Sequence, residues 1–458
     1  MYFAWEKSSR APRRYGRFVC CILRLAAVLA VAEPAHAQGT ASLVAAVGDS
    51  LPAVRLDSLL DLETVVRRAL AVSPDVTGAE QGVRTAESGR RVANGELLPD
   101  LTANASLLRS NVTSVPDNGT LPPDAFAAGL AASVDVFTGG RRSADRARAN
   151  ADLGAAQAGN VAQRFAVTFT AQAAFFEALR ANDLVDVARA SVAQARQTLR
   201  YAEDRVRAGT TTRSDELRAQ LELTTSQQQL VAALDTLQTA GWDLGRLVGA
   251  DGPVGSRRPA SLEPRQLALS DSEVVRLAID ASPEVQTALA QQRADEAALK
   301  SARTQYVPDV RLSGGYNWAD QSTLIYATRP GWQLTLGTSF PLFNGFQRED
   351  NVIRADAAAQ VARVTSLDVV RQARADAERL LSRLRFAEQS IALANQGVAS
   401  ASEDLRVQTE RYRAGIATEL DELTSELAYT QAQIALVGDR YSYQLTLAQL
   451  EALVGRVL

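Results

Sequence analysis

The side chains that most often do catalytic chemistry are concentrated in the first 37 residues of this 458-residue chain. The single His (His36) and both cysteines (Cys20 and Cys21) lie there. A chain without this segment cannot use a thiolate nucleophile, a His-dependent triad or a Cys/His zinc site. A hydrolase that uses only carboxylates stays formally possible, but no pair of acids in the sequence marks such a site. We therefore expect no enzyme, no cofactor and no metal centre.

Two carboxylates stand out by their spacing. Asp215 lies in "RVRAGTTTRSDEL" (205–217) and Asp421 in "RYRAGIATELDEL" (411–423), and the two residues are 206 positions apart. Each Asp follows a Gly by six residues, after a charged helix end, an Ala-Gly break and a polar turn. Glycine suits a sharp turn because it accepts positive φ. The two motifs predict the tip of a helical hairpin, made twice.

The duplication extends over most of the chain. Matching segments recur in the same order: "ALAVSPDV" (69–76) with "AIDASPEV" (278–285), "LLPDL" (97–101) with "YVPDV" (306–310), "VDVFTGGRR" (134–142) with "FPLFNGFQR" (340–348), and "RLVG" (246–249) with "ALVG" (452–455). The interval is 209 residues at Pro74 and Pro99 and 206 residues from Phe137 onward. The expected divisions are repeat 1 (56–249), a Pro/Gly/Ser-rich linker (250–272) and repeat 2 (273–458).

A constant interval indicates long, straight helices, because loops tolerate insertions and helices in register do not. No Pro lies between Pro123 and Pro253 or after Pro341, and good helix formers dominate both stretches. The run from Arg141 to Arg207 contains 67 residues, which would make a helix about 100 Å long. No globular core is that wide, so the helix must belong to a rod or a tube.

Small and apolar residues recur at 4-3-4 spacing in these stretches, which predicts an antiparallel coiled-coil pair. The seam of the long helix in repeat 1 is expected at Ala188, Val192, Ala195, Leu199, Ala202 and Val206. In repeat 2 it is expected at Ala394, Val398, Ala401, Leu405, Gln408 and Tyr412, and the return helix at Leu423, Leu427, Thr430, Ile434, Val437 and Tyr441. An isolated two-helix coiled coil would account for these stretches equally well.

Between the helices of each repeat the hydrophobic period changes to two residues, which is typical of β-strands. The alternating segments are 310–319 and 331–340 and, more weakly, 100–110 and 126–136. They predict one hairpin at about 100–137 and another at about 309–340. Their length suits tilted transmembrane strands, although amphipathic hairpins in a soluble domain would show the same alternation.

Two hairpins supply only four strands. Membrane barrels begin at eight strands, because an open edge in lipid leaves backbone groups unpaired. If these strands span a membrane, the chain must therefore pool them with other copies: two copies give eight strands and three give twelve.

The N-terminus is typical of an export signal. Basic residues precede an apolar stretch at 18–32, and "AHA" (35–37) has the form of a cleavage site. The expected signal peptide is 1–37, followed by a linker at 38–55. A transmembrane anchor is the alternative, but Arg24 interrupts the apolar run. The formal net charge of −3 argues against a nucleic-acid partner.

These motifs, duplicated and in order, resemble the TolC family of outer-membrane efflux channels over about residues 56–456. The resemblance implies an α+β membrane channel: a long α-helical coiled-coil barrel crossing the periplasm, and a transmembrane β-barrel to which each protomer gives four strands. It implies a homotrimer embedded in outer-membrane lipid of a Gram-negative cell. A periplasmic adaptor (membrane fusion protein) and an inner-membrane RND or ABC pump would complete the assembly, and the trimer itself would be a passive duct.

The resemblance also assigns roles to the repeated tips. The residues expected to contact the adaptor are Ala208, Gly209, Thr210, Ala414, Gly415 and Ile416. Asp421 matches an Asp that faces the pore and narrows its entrance, and three copies would make a negative ring that selects cations. Tyr412 matches a Tyr that helps to hold the entrance shut. A preference for acids at helix starts is the alternative explanation for Asp421. The same preference accounts for Asp215, which occupies the matching place in repeat 1.

Two departures from the family pattern affect the expected entrance. Thr424 stands where well-known members carry a second Asp, and Ala417 where they carry a basic residue. The constriction is therefore expected to include Asp421, Tyr412 and Glu419, with Arg411 or Arg413 as further candidates. A periplasmic coiled-coil scaffold that never enters the membrane is the alternative function.

Overall fold

The computed structural model describes residues 56–109, 124–265, 267–320 and 331–458. The expected signal peptide (1–37) and the N-terminal linker (38–55) lie outside the described residues. Among the described residues, no helix combines the length and the apolar character that a membrane-spanning helix needs.

The two repeats contain the same succession of elements. Repeat 1 consists of β1 (Ser58–Leu60), α1 (Leu62–Val72), α2 (Pro74–Gly95), β2 (Asp100–Arg109), β3 (Asp124–Phe137), α3 (Arg141–Arg207) and α4 (Arg213–Leu247). Strand β4 (Val254–Ser256) follows, and repeat 2 consists of α5 (Asp271–Asp280), α6 (Pro283–Arg303), a 3-10 turn (Thr304–Tyr306), β5 (Asp309–Asp320), β6 (Gly331–Ser339), α7 (Gln347–Arg413) and α8 (Glu419–Val454). Strands β2 and β3 and strands β5 and β6 occupy the segments whose alternation predicts hairpins.

Helices α3 and α7 are each 67 residues long. Helix α3 occupies the Pro-free run that predicts it. Its start requires glycine: Gly139 has φ +58°, and an added Cβ there would lie 2.2 Å from the Cβ of Val307. In repeat 2 the residue before the long helix is Phe346, which also has positive φ, at +65°. Each long helix packs against the return helix that follows it, α4 or α8.

The four longer strands form one antiparallel sheet in the order β2-β3-β5-β6. The central pair, β3 with β5, joins the two repeats, with Leu130 opposite Tyr316. Strands β2 and β6 are the edges, each hydrogen-bonded on one side only within the described chain. Large apolar side chains on both edges, among them Leu101 and Trp332, are exposed. A sheet with two free edges and an exposed apolar face is incomplete as a single copy.

The predicted seam of α3 is confirmed at four positions, since Ala188, Val192, Ala195 and Ala202 are buried. The predicted seam of the return helix α8 is wrong near the tip. Leu427 and Ile434 are 52% and 46% exposed, whereas Glu422 and Glu426 are 0% and 3% exposed. The heptad interpretation assumed one partner, but α8 packs against both α7 and α3. Contact with two helices turns a different face of α8 inward.

The linker and the N-terminal strand join the two repeats. Strand β1 pairs in parallel with β4, with Ser58 opposite Val254. Further along, Arg258 donates to the buried carboxylate of Asp183 on α3, and the hydroxyl of Tyr441 on α8 donates to the same carboxylate at 2.8 Å. Asp183 therefore connects both repeats and the linker through one buried acceptor.

This connection predicts a stability effect. We expect Asp183→Ala to lower the free energy of unfolding by about 2 kcal/mol, because the buried hydroxyl of Tyr441 loses its acceptor and Arg258 loses its partner. The measurement is the apparent unfolding temperature in detergent. Asp186→Ala is the matched control, since this carboxylate lies one turn along α3, is exposed and forms its ion pair with Arg189 of the same helix. Its charge makes only a smaller contribution at Arg258 than that of Asp183. Equal unfolding temperatures for the two variants would contradict this role for Asp183.

Candidate functional site

The two hairpin tips have the same backbone geometry. Gly209 and Gly415 have φ of +70° and +77°. One residue further, the amides of Thr210 and Ile416 each donate at 3.0 Å to the carbonyl five residues back. This is the glycine-dependent C-cap expected where a helix ends in a left-handed residue. An added Cβ at either glycine would meet nothing within 4 Å, so conformation rather than space requires glycine. All six predicted tip residues, Ala208, Gly209, Thr210, Ala414, Gly415 and Ile416, are exposed.

The repeated Asp residues begin the return helices. The carboxylate of Asp421 accepts from the Thr418 hydroxyl at 2.7 Å and the Thr418 amide at 2.9 Å. The carboxylate of Asp215 accepts the same two bonds from Thr212, at 3.0 and 3.2 Å. Each pair is a capping box, which satisfies backbone groups that a helix start leaves unpaired. The spacing Thr-x-x-Asp is visible in both motifs, and it explains why each Asp lies six residues past its glycine.

Asp421 is exposed. The hydrogen bonds from the side chain and backbone of Thr418 hold the pKa of this carboxyl below its usual range. The group is therefore charged at neutral pH. A charged, exposed carboxylate at a helical tip is available to face an aqueous pore.

Two arginine–tyrosine contacts join the tips to each other. The guanidinium of Arg205 on α3 lies 4.7 Å from the ring centre of Tyr412 on α7 and donates to its carbonyl oxygen at 3.2 Å. In the opposite direction, the guanidinium of Arg413 on α7 lies 4.8 Å from the ring centre of Tyr201 on α3. Each hairpin thus supplies one cation and one ring, a favourable pairing when the groups are partly desolvated.

The other two residues of the predicted constriction, Tyr412 and Glu419, lie inside this packing. They are 1% and 5% exposed. In this conformation neither side chain presents a surface to a lumen. Burial raises the pKa of Tyr412, while Arg205 opposes the shift. Burial also raises the pKa of Glu419 to about 7, and the negative charge of Asp215 adds to that effect.

Sequence reasoning missed two further acids, Glu422 and Glu426. Both carboxyl groups are buried and accept no hydrogen bond from the described residues. Burial raises the pKa of Glu422, and the Thr409 hydroxyl and Arg413 oppose the shift without forming a hydrogen bond of normal geometry. Burial raises the pKa of Glu426 to about 8, with further contributions from Glu222 and Glu422. The sequence did carry a signal for them, because residues three and seven positions after Glu419 lie on the same helix face as Glu419.

The described part of the chain contains no group of three or more Cys, His, Asp or Glu side chains arranged to hold a metal ion. The distinctive features are instead mechanical: two long helical hairpins, an amphipathic sheet with free edges, and polar tips at the far end. These features are those of an internally duplicated channel protein with a long helical part and a β-sheet part.

Comparison with known proteins leads to the same class of protein. The outer membrane efflux protein family matches residues 65–250 and 274–456. The chain is 28% identical to the pyoverdine export outer membrane protein OpmQ of Pseudomonas aeruginosa, over 86% of this chain and 84% of that one. It is 30% identical to protein CyaE of Bordetella pertussis, over 76% of each. The crystal structure of VceC from Vibrio cholerae has a TM-score of 0.74 at 22% identity, covering 87% of this chain and 97% of that one.

The chain belongs to the outer membrane efflux protein family. It is an exit duct of the outer membrane, which rules out the alternative of a periplasmic scaffold. Channels of this family are trimeric and work with an adaptor and an inner-membrane pump.

The arginine–tyrosine contacts predict how the tips respond to mutation. Arg205→Ala removes the stacking on Tyr412 and the hydrogen bond to its carbonyl, so we expect the tips to be less stable by about 1 kcal/mol. Amide hydrogen exchange around residues 408–418 should then be roughly fivefold faster. Arg207→Ala is the control, because this guanidinium pairs within its own helix, with Asp204. The same exchange rates in both variants would mean that the contact contributes nothing.

Proposed function

We propose that three copies of this chain form a passive duct that opens at the helical tips to receive substrates from an inner-membrane pump. The observation that carries this proposal is the sheet β2-β3-β5-β6 with its two free edges. A second copy can pair with a free edge, and three copies would supply twelve strands and leave no edge in lipid. Family channels are trimeric, which supports the same count.

The tips are proposed as the adaptor contact. Ala208, Gly209 and Thr210 of one hairpin and Ala414, Gly415 and Ile416 of the other are exposed together at one end of the long helices. Small residues at both turns leave the backbone accessible to a partner. The adaptor would be a periplasmic membrane fusion protein and the pump of the RND or ABC class.

Asp421 is proposed as the pore-facing residue of the entrance, with three copies forming a ring of negative charge. Its exposure and lowered pKa support this role. Tyr412 is proposed to hold the entrance shut from inside the protomer, through its contact with Arg205. Glu419, buried beside Tyr412, belongs to the same closing contact.

Conductance in planar bilayers tests the ring. We expect Asp421→Asn to lower the cation-over-anion permeability ratio roughly two- to tenfold, because the ring loses its charge. Asp215→Asn is a closely matched control, since Asp215 has the same capping role in the other hairpin. If both variants change selectivity equally, the effect comes from the helix start and Asp421 does not line the pore. If the folded trimer forms no pore at all, the proposed duct is wrong.

Export assays test the adaptor contact. Ile416 is a large exposed apolar side chain at the tip, and we expect Ile416→Asp to reduce pump-dependent export by at least about tenfold because an apolar contact is replaced by a charge. The conductance of the purified trimer should not change. Ile416→Val is the control and should keep export. Full export by the Asp variant would place the adaptor elsewhere.

A further inference from the structure

Three glutamates line one face of α8 directly behind the tip. Glu419, Glu422 and Glu426 are spaced three and four residues apart and are 5%, 0% and 3% exposed. Five of their six carboxyl oxygens accept no hydrogen bond from the described residues and are buried. Acidic side chains are among the least often buried unless they are paired, so three in succession need an explanation.

The duplication shows what is unusual about them. The same positions in α4, 206 residues earlier, are Arg213, Glu216 and Gln220. There Arg213 donates to Glu216 at 2.6 Å, and the glutamate is paired. In α8 the arginine is replaced by Glu419 and the glutamine by Glu426. One copy of the fold therefore has an ion pair and an amide where the other has three acids.

The cations near these acids are already engaged with other groups. From α4, Glu222 and Asp215 add negative charge beside Glu426 and Glu419. Arg218 of α4 opposes the raised pKa of Glu419, but it is paired with Asp215 at 3.1 Å. From α7, Arg413 opposes the shift of Glu422, but it is stacked on a tyrosine of α3.

The cation that α3 contributes, Arg205, is also engaged with another group: it contacts the ring and the carbonyl oxygen of Tyr412. An ionised carboxylate buried without a partner is strongly unfavourable, and such a group keeps its proton instead. When the hairpins separate and water enters, the same groups ionise freely.

We propose that Glu419, Glu422 and Glu426 make the closure of the tips depend on pH, with the hairpins packed while the three acids are protonated and released as they ionise. The consequence for transport rests on the proposed function, because it assumes that the tips close the duct. The pH dependence of hairpin packing does not need that assumption.

The direction follows from the pKa values. These acids ionise near 4.5 when exposed, whereas in the packed tip the pKa of Glu419 is about 7 and that of Glu426 about 8. The packed state therefore binds more protons than the separated state between these limits. Its stability is complete below about pH 4.5 and is lost as pH rises towards 8. Each acid changes the ratio of packed to separated tips by up to about tenfold per pH unit.

The experiment measures the open probability of the reconstituted trimer from pH 5 to pH 8, and tip separation by spin labels at Thr210→Cys and Ile416→Cys. We expect both to increase with pH. Glu426→Gln and Glu419→Arg, which install the residues of the other repeat, should flatten the two profiles and keep the tips packed at pH 8. Glu216→Gln is the control and should leave the wild-type profile unchanged.

The outcomes are distinguishable. Label distances that increase with pH in a trimer without conductance would support the switch and reject the proposed duct. If the trimer conducts but neither its open probability nor its label distances change with pH, the switch is rejected and the duct is supported. A pH profile that Glu426→Gln and Glu419→Arg leave unchanged, or that Glu216→Gln flattens equally, would also reject it, because the response would then arise elsewhere.

Discussion

The contacts at the tips depend on the two long helices having equal length. Helices α3 and α7 each contain 67 residues, and one inserted residue would move a tip by about 1.5 Å and rotate it by about a quarter turn. Such a change would separate Arg205 from Tyr412 and Arg413 from Tyr201. It would also move the buried acids of α8 against a different part of α4. The interval between the repeats is therefore constant because α3 and α7 must be equally long to meet at both ends.

Much of the fold follows from local patterns in the sequence. The Pro-free run predicted α3 because nothing in it interrupts a helix, and alternation predicted β5 and β6 because their two faces meet different surroundings. The faces of α8 could not be predicted in the same way. Whether Leu427 or Glu426 turns inward depends on α3, which lies more than 200 residues away in the sequence, so a heptad pattern within α8 carries no information about it. At the tips, the Thr-x-x-Asp spacing was present, but the sequence explained the two Asp residues by the pore or by a general preference for acids at helix starts. The capping boxes emerged only from the hydrogen bonds of Thr212 and Thr418.

The two repeats have similar backbone structures and different side chains. Their tip turns and capping boxes match, and α3 and α7 are equally long, because local geometry at these places tolerates little variation. Among the positions where the repeats differ are Val206 against Tyr412 and Arg213 against Glu419. Two identical hairpins would present identical surfaces. Divergence at these positions gives each hairpin its own surface, and it places unfavourable groups where a sequence optimised for stability alone would not have them.

The short pairing of β1 with β4 has a consequence for the order in which the chain folds. Ser58 lies opposite Val254, so 196 residues must follow β1 before its partner exists. A chain delivered from its N-terminus presents β1, then the whole first hairpin, with an open strand edge and an exposed helix face. Contacts of such sequence separation form late and slowly. Until β4 has been delivered, β1 has no partner strand and the first repeat is incomplete.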